Sequence, residues 1–284
     1  MFNEEAVVVE IQGGQLTGIV HQGDKRVKTG VLIVVGGPQY RVGSHRQFVH
    51  LARFLAAQGV PVMRFDNTGM GDSSGQKCSF DRLDTDLSAA IDSFMSTVAT
   101  LEQVVLWGLC DGASAAMMYG HQDHRVRGLV LVNPWMENSQ AKAHARVSQY
   151  YVKRFINIDF WKKLIKGEAR ILNSLQEFFC TLKGVFYPKK SASKETVAST
   201  QPYQQRMLHG LQSYSGKVLF VLSGNDLTAK EFNLQMAGDS HWAKVIESEL
   251  VSFEHNTDAD HTFSSREFKD WVAERTATFI STQK

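Results

Sequence analysis

The 284-residue sequence lacks several features that would assign it to particular classes of protein. It contains no run of about 18 apolar residues, which argues against a transmembrane helix. Residues 1–14 have no basic stretch followed by an apolar core, so we expect no secretory signal. Prolines number only five, and we find neither internal repeats nor low-complexity windows. With 43% hydrophobic residues, the chain can bury a substantial core, either as one large domain or as one domain with an insertion.

Cysteine and net charge are also scarce. The three cysteines, Cys78, Cys110 and Cys180, are odd in number and widely spaced. This favours free thiols in a reducing cytoplasm over a disulfide framework or a metal site, and no cofactor is expected. A formal net charge of +2 argues against general nucleic-acid binding.

Apolar strands alternate with helical patterns through much of the chain. Continuous apolar runs at residues 31–35, 128–132 and 217–222 predict buried strands. An amphipathic helix is predicted over about residues 45–58, with Ser44 as its N-cap. The other predicted strands are 6–11 and 15–20 (an opening hairpin), 60–65, 103–107 and 250–254; the other predicted helices are 82–98, 113–119, 229–236, 242–248 and a closing helix capped by Ser264 or Ser265. This alternation predicts an α/β fold with a doubly wound, mostly parallel sheet.

The alternation stops where aromatic and basic helical stretches replace the apolar strands. Residues 136–216 hold 13 Lys and Arg against 5 Asp and Glu. We therefore predict a core of residues 1–135 and 216–284 and a helical, basic insertion of residues 136–215. Such charge is typical of a solvated helical face, or of a lid that attracts an acidic substrate, an anionic partner or a membrane surface.

Residues 108–112, with the sequence GLCDG, lie between a predicted strand and a predicted helix. This is the G-x-nucleophile-x-G pattern of a nucleophile elbow, with Cys110 where serine is usual. The tight turn exposes the central side chain above the sheet, and the helix N-terminus favours a thiolate and an oxyanion. The alternative is that Cys110 is a small buried apolar residue and the glycines are ordinary turn residues.

Two further chemical groups follow later predicted strands, at the edge where open α/β sheets place their sites. His261 would accept the thiol proton of Cys110 or pair with its thiolate. Asp226 would orient the imidazole without taking the proton.

Each of these two assignments has a rival. Asp226 could be a turn residue or the N-cap of the helix that follows it. Asp258 and Asp260 are competing carboxylates beside His261. His255, at the end of the last predicted strand, is the competing base, although it lies too early for the loop in which such a base is usual.

An oxyanion site needs two N–H donors. One is expected from the backbone of Asp111, directly after the candidate nucleophile. The other should come from the glycine-rich loop of residues 36–40, in which Pro38 has no N–H. Gly37 and Gln39 remain, and we favour Gln39.

Four motifs together resemble the α/β-hydrolase superfamily over nearly the full length of the chain. They are residues 66–73 (DNTGMGDS), 108–112 (GLCDG), 223–226 (SGND) and 260–261 (DH). The order of nucleophile, acid and histidine is also the order of the triad in this superfamily. The resemblance implies an α/β-hydrolase fold with a helical cap insertion.

Residues 34–48, 107–114 and 222–229 look more narrowly like the bacterial exosortase A system-associated hydrolases. These proteins are similar to the serine aminopeptidase-like branch of the superfamily. They are encoded with exopolysaccharide and protein-sorting machinery, so the resemblance implies a genetic context more than a reaction. The cysteine nucleophile, and the lack of a histidine before residues 36–37, depart from the superfamily norm.

We therefore expect a cytoplasmic hydrolase that cleaves an ester or thioester through an acyl-Cys110 intermediate. An acyltransferase with the same triad is the second hypothesis, because a thioester passes its acyl group to alcohols, amines or thiols as well as to water. A binding protein that keeps the fold without catalysis is the third. Tyr40 and Trp135 are candidate residues of a pocket for a small-molecule, lipid-linked or saccharide-linked acyl substrate.

Overall fold

The computed structural model describes residues 3–37, 39–136 and 201–283. These residues form one eight-stranded sheet with helices on both faces. The strands are β1 (Glu4–Ile11), β2 (Gly14–His21), β3 (Thr29–Val34), β4 (Val62–Phe65), β5 (Gln103–Leu109), β6 (Val126–Val132), β7 (Lys217–Asn225) and β8 (Val251–Asp260). The helices are α1 (Gln47–Ala57), α2 (Asp84–Thr97), α3 (Asp111–Tyr119), α4 (Tyr203–Ser213), α5 (Leu227–Gly238), α6 (Ser240–Ile246) and α7 (Arg266–Ser281).

The strand order of the sheet is β1-β2-β4-β3-β5-β6-β7-β8. β1 and β2 form an antiparallel hairpin, and β2 pairs antiparallel with β4. From β4 to β8 all neighbouring strands run parallel. The predicted α/β fold with a doubly wound, mostly parallel sheet is confirmed.

The core lies on both sides of the sheet because its central strands are apolar at nearly every position. β3 and β5 alternate side chains between two buried clusters, so both of their faces are covered. Helices α1 and α7 cover one face, and α2 to α6 cover the other. Burial of each large side chain, such as Phe48 or Phe94, contributes about 1.5–3 kcal/mol. This rigid sheet holds the loops that follow its parallel strands.

The start of α1 differs from the prediction. Ser44 is not its N-cap but opens a 3-10 turn, Ser44–Arg46, and α1 begins after Arg46, which has a left-handed φ of 59°. The Phe48 N–H donates to the carbonyl of Val42 at 3.2 Å, which supplies a partner for one N–H of the first helical turn. Since the backbone fills this role, no Ser44 side-chain cap forms, and the prediction was wrong.

The last strand is longer than predicted. β8 continues to Asp260, so residues 258–260 are strand and not the first part of a loop. The extension follows from backbone pairing with β7, in which Ser223 faces Asn256 and Asn225 faces Asp260. Two of the three side chains in this stretch are acidic and only Ala259 is apolar, which is too little to predict a strand from the sequence.

Residues 1–136 and 201–284 group into one compact unit. The predicted insertion ended at 215, whereas α4 belongs to this unit and packs against α3. A Cβ at Gly210 of α4 would lie 2.1 Å from the Met117 carbonyl oxygen of α3. The rest of the predicted insertion, residues 137–200, lies outside the described residues, as does Cys180. No helix in the described ranges has the length and hydropathy needed to cross a bilayer.

Candidate active site

Cys110 lies between the last residue of β5 and the first residue of α3, with no loop between them. Its φ and ψ are 60° and −125°, a conformation that non-glycine residues rarely adopt. Such strain is characteristic of functional turns that the surrounding structure holds in place. The predicted strand-to-helix elbow is therefore present.

The elbow glycines are required by space. A Cβ at Gly108 would lie 2.5 Å from the Ala113 nitrogen, and a Cβ at Gly112 would lie 2.4 Å from the Val34 carbonyl oxygen. Neither contact is sterically allowed, so larger residues would push α3 away from the sheet. The alternative, in which these glycines are only turn residues, does not account for these contacts.

Hydrogen bonds to the last residue of β6 and to the loop after it fix the backbone of Cys110. Its N–H donates to the Val132 carbonyl at 3.0 Å, and its carbonyl accepts from the Trp135 N–H at 3.2 Å. The side chain is half-buried. The thiol thus has a fixed position but keeps some access to solvent.

Asp226 and His261 meet at the carboxyl ends of β7 and β8. His261 Nδ1 lies 2.8 Å from Asp226 Oδ2. The other proposed role of Asp226 is also present, because its carboxylate caps α5 by accepting from the N–H groups of Thr228 and Ala229. Burial alone would raise the pKa of Asp226, but these hydrogen bonds outweigh it, so the pKa of Asp226 is lowered.

His261 also interacts with Cys110. Hydrogen bonds to Asp226 and then to Cys110 raise the pKa of His261 to about 10, against the opposing effect of burial. The cation is therefore the favoured form of this imidazole at neutral pH, which suits a thiolate–imidazolium pair. The structure brings together all three residues named from the sequence, Cys110, Asp226 and His261.

The rival residues are placed elsewhere. Asp260 accepts hydrogen bonds from the N–H and hydroxyl of Ser264, at 2.8 and 2.5 Å. Asp258 is exposed, and its carbonyl accepts from the Asn225 side chain. His255 lies within β8, paired with Leu222 and not at the end of the strand.

The two predicted donors of the loop after β3 lie in different surroundings. Gly37 has a left-handed φ of 62°, and its N–H, like that of Asp111, faces the Asp111 carboxyl group. Gln39 uses its side-chain oxygen to accept from the Ser44 N–H at 3.3 Å. The choice between Gly37 and Gln39 as the second oxyanion donor remains a prediction.

A buried charge cluster holds this loop against the loop after β4. Asp66 is fully buried and accepts from the Arg41 N–H at 2.6 Å and from the Asp72 N–H at 2.9 Å, and it also pairs with the Arg41 guanidinium. A Cβ at Gly71 would lie 2.3 Å from the same carboxylate. The contacts of the motif of residues 66–73 therefore position the loop that is predicted to supply an oxyanion donor.

Asn133 was not recognised as a site residue from the sequence. It follows β6, is fully buried and has a positive φ of 42°. Its Nδ2 donates to Ser223 Oγ at 2.8 Å and to the His261 carbonyl at 2.9 Å, and its Oδ1 accepts from the Ser223 N–H at 2.9 Å. Asn133 thus fixes His261 relative to β7. Its place at a strand end, before Pro134, was the available signal.

The two candidate pocket residues have different environments. Tyr40 is 48% exposed. Trp135 stacks on Tyr203 with 5.5 Å between ring centroids and meets Phe80 edge to face. Because the Trp135 N–H bonds to the Cys110 carbonyl, this aromatic cluster adjoins the elbow. No group of His, Cys, Asp and Glu side chains in the described ranges has the arrangement of a metal site.

The sheet order, the elbow and the cluster above it define an α/β hydrolase. A profile of the serine aminopeptidase, S33, family matches residues 28–226, which is more than half of the chain. The protein belongs to this family.

Solved structures share the fold at low sequence identity. An esterase from Pyrococcus furiosus, Pf2001, superposes with a TM-score of 0.66 at 17% identity, over 99% of this chain and 91% of its own. Mouse alpha/beta hydrolase domain-containing protein 10 gives a TM-score of 0.61 at 16% identity, over 99% and 100% of the two chains. An alpha-beta serine hydrolase homologue from Coxiella burnetii gives 0.58 at 16% identity, over 98% and 97%. No curated protein sequence matches the chain at a significant level.

Proposed function

We propose that the protein cleaves an ester or thioester through a covalent acyl-Cys110 intermediate. The observation that carries this proposal is the cluster in which His261 bonds Asp226 at 2.8 Å and also meets Cys110 at the elbow. Family membership and the fold shared with esterases agree with it.

The first half of the reaction forms the acyl-enzyme. The Cys110 thiolate attacks the carbonyl carbon, and the carbonyl π electrons move to oxygen, where backbone N–H groups of the oxyanion site stabilise the charge. When the C=O bond re-forms, the bond to the leaving group breaks. His261 gives its proton to the departing alkoxide or thiolate, and Asp226 keeps the imidazole oriented.

The second half releases the acyl group. Neutral His261 takes a proton from water, the hydroxide attacks the thioester, and the Cys110 thiolate leaves as the acid forms. The imidazolium–thiolate pair is thereby restored. The balance is one ester or thioester plus one water giving one acid and one alcohol or thiol.

The nucleophile favours a second candidate, acyl transfer. A thioester reacts readily with alcohols, amines and thiols, so an acceptor that reaches Cys110 before water would take the acyl group. The resemblance to exosortase A system-associated hydrolases supports a saccharide-linked or lipid-linked partner in either reaction. Both candidates use the same triad and differ only in the acceptor.

Turnover of a donor panel tests the proposal. The purified full chain is incubated with p-nitrophenyl esters and acyl-CoA thioesters of increasing chain length, with and without saccharide or alcohol acceptors. Hydrolysis that is lost in Cys110→Ala supports the proposal, and an acylated acceptor identifies transfer. If no donor turns over between about pH 6 and 9, the protein is a binding protein with a hydrolase fold.

A further inference from the structure

The Asp111 carboxyl group lies beside the predicted oxyanion site and has no role in the triad. Its Oδ1 is inaccessible to solvent and completes no hydrogen bond with the described residues. A Cβ at Gly36 would lie 2.1 Å from this oxygen and 2.5 Å from the Gly112 nitrogen. The carboxyl group is thus enclosed between the loop after β3 and the first turn of α3.

Its surroundings are those of an anion-binding site. The N–H groups of Gly37, Asp111 and Gly112 face the carboxyl group, and two of these are candidate donors to an oxyanion. His261 is the titratable group whose charge acts on it from the loop after β8, and Cys110 adjoins it in the chain. From the loop after β3, Gly36 and Gly37 approach it.

We propose that Asp111 is a catalytic residue that works in its neutral form, sharing the oxyanion site with these N–H groups and donating its proton in a hydrogen bond to the carbonyl oxygen. This rests on the proposed acyl-Cys110 chemistry. The proton stays on Asp111 throughout, so the bonds made and broken at the acyl carbon are unchanged. Ionised Asp111 would repel an oxyanion and would accept hydrogen bonds from the same N–H groups.

The electrostatics of the site support a neutral carboxyl group. In the proposed mechanism the attacking thiolate, the His261 imidazolium and the Asp226 carboxylate together carry one excess negative charge beside the carbonyl that is attacked. A second carboxylate there would oppose further negative charge on the substrate oxygen. Burial raises the pKa of Asp111, and the opposing effects of the N–H groups and of His261 are smaller.

Two substitutions separate the effect of the Asp111 carboxyl proton from the effect of the side-chain shape. Asp111→Asn keeps the shape and an N–H donor but cannot ionise, and Asp111→Leu removes the donor. Asp258→Asn, at an exposed position, is the matched control for loss of one negative charge. Acylation by p-nitrophenyl acetate is followed from pH 5 to 10, and alkylation by iodoacetamide reports the thiolate without using the oxyanion site.

The proposal expects Asp111→Leu to lose about 100- to 1,000-fold in acylation rate while alkylation is retained. Wild type should lose acylation as pH rises through the ionisation of Asp111, and Asp111→Asn should lack that fall and stay within about tenfold of wild type at low pH. An Asp111→Leu variant that acylates at the wild-type rate, or an Asp111→Asn variant as slow as Asp111→Leu, would overturn the proposal.

A direct measurement needs no substrate. The carboxyl ¹³C resonance of Asp111, assigned by its loss in Asp111→Asn, should report a neutral acid at pH 7, and an ionised carboxylate at pH 7 would refute the proposal. If wild type is alkylated normally but no donor acylates it, the proposed function fails, while this resonance still decides the state of Asp111.

Discussion

His261 Nδ1 lies 2.8 Å from Asp226 Oδ2, although the two residues are 35 positions apart in the chain. The contact forms because β7 and β8 are parallel neighbours and each ends just before one of the two residues. The same carboxylate caps α5, so its position is set by the helix as well as by the histidine.

The double role of Asp226 allows catalysis and stability to be separated. Asp226→Asn should lower kcat by about 10⁴-fold, because the amide no longer favours the imidazolium or its tautomer. Stability should hardly change, since Asn and Asp are comparable N-caps. Asp226→Ala should in addition lose about 1 kcal/mol in urea unfolding. Equal stability losses in the two variants would contradict the capping role.

Asn133 should act through His261. Asn133→Ala removes three side-chain hydrogen bonds, two of them buried and one part-buried, so we expect a loss of about 1–3 kcal/mol in unfolding free energy. We also expect a fall in kcat with a smaller change in KM, because the His261 carbonyl loses its anchor. Ser223→Ala, which leaves the bond to His261 in place, is the control. If both variants reduce kcat equally, the anchoring role is wrong.

Alanine substitutions at two adjacent glycines test how closely the loop after β3 packs against α3. A Cβ at Gly36 would overlap Asp111 Oδ1 and the Gly112 nitrogen, whereas at Gly37 the nearest atom is 3.9 Å away and only the φ of 62° is unfavourable. Gly36→Ala should cost about 1–3 kcal/mol and reduce kcat/KM sharply. Gly37→Ala should cost about 1 kcal/mol and retain more activity. The reverse order, measured by unfolding and initial rates, would show that this packing is misassigned.

Stability at acid pH should depend on His21. Burial, and then the charge of Arg64, lower its pKa to about 4, and Arg64 Nε donates to its ring at 2.9 Å. Because His21 binds a proton more readily in the unfolded chain, stability should fall as pH drops from about 6.5 to about 4, by up to about 3 kcal/mol. His21→Gln keeps an acceptor but cannot titrate. Urea midpoints of this variant should lose that part of the pH dependence, and an unchanged slope would exclude His21 as its source.

The sequence predicted the sheet and the three residues above it for a shared physical reason. Apolar runs identify buried strands, and in a parallel sheet the residues after those strands meet at one edge. Cys110, Asp226 and His261 could therefore be selected without knowledge of side-chain positions. The glycines on either side of Cys110 are required by local steric contacts, so this pattern can be recognised from the sequence.

The features that the sequence did not predict depend on hydrogen-bond partners in other parts of the chain. Ser44 matched the pattern of an N-cap, but the Val42 carbonyl supplies an acceptor that composition does not reveal. The last three residues of β8 are strand because β7 continues beside them, and not because of their own side chains. Asn133 owes its role to Ser223 and His261, which are 90 and 128 positions away.

The central claim is that Cys110 forms a covalent acyl-enzyme, and mass spectrometry of the acid-quenched protein after mixing with an activated ester or acyl-CoA tests it most directly. We predict an added mass of one acyl group on the peptide that contains Cys110, absent in Cys110→Ala and slowed by about 10³-fold or more in Cys110→Ser, whose hydroxyl ionises far less readily. Product formation without any adduct on Cys110, or an equal adduct in Cys110→Ala, would contradict it.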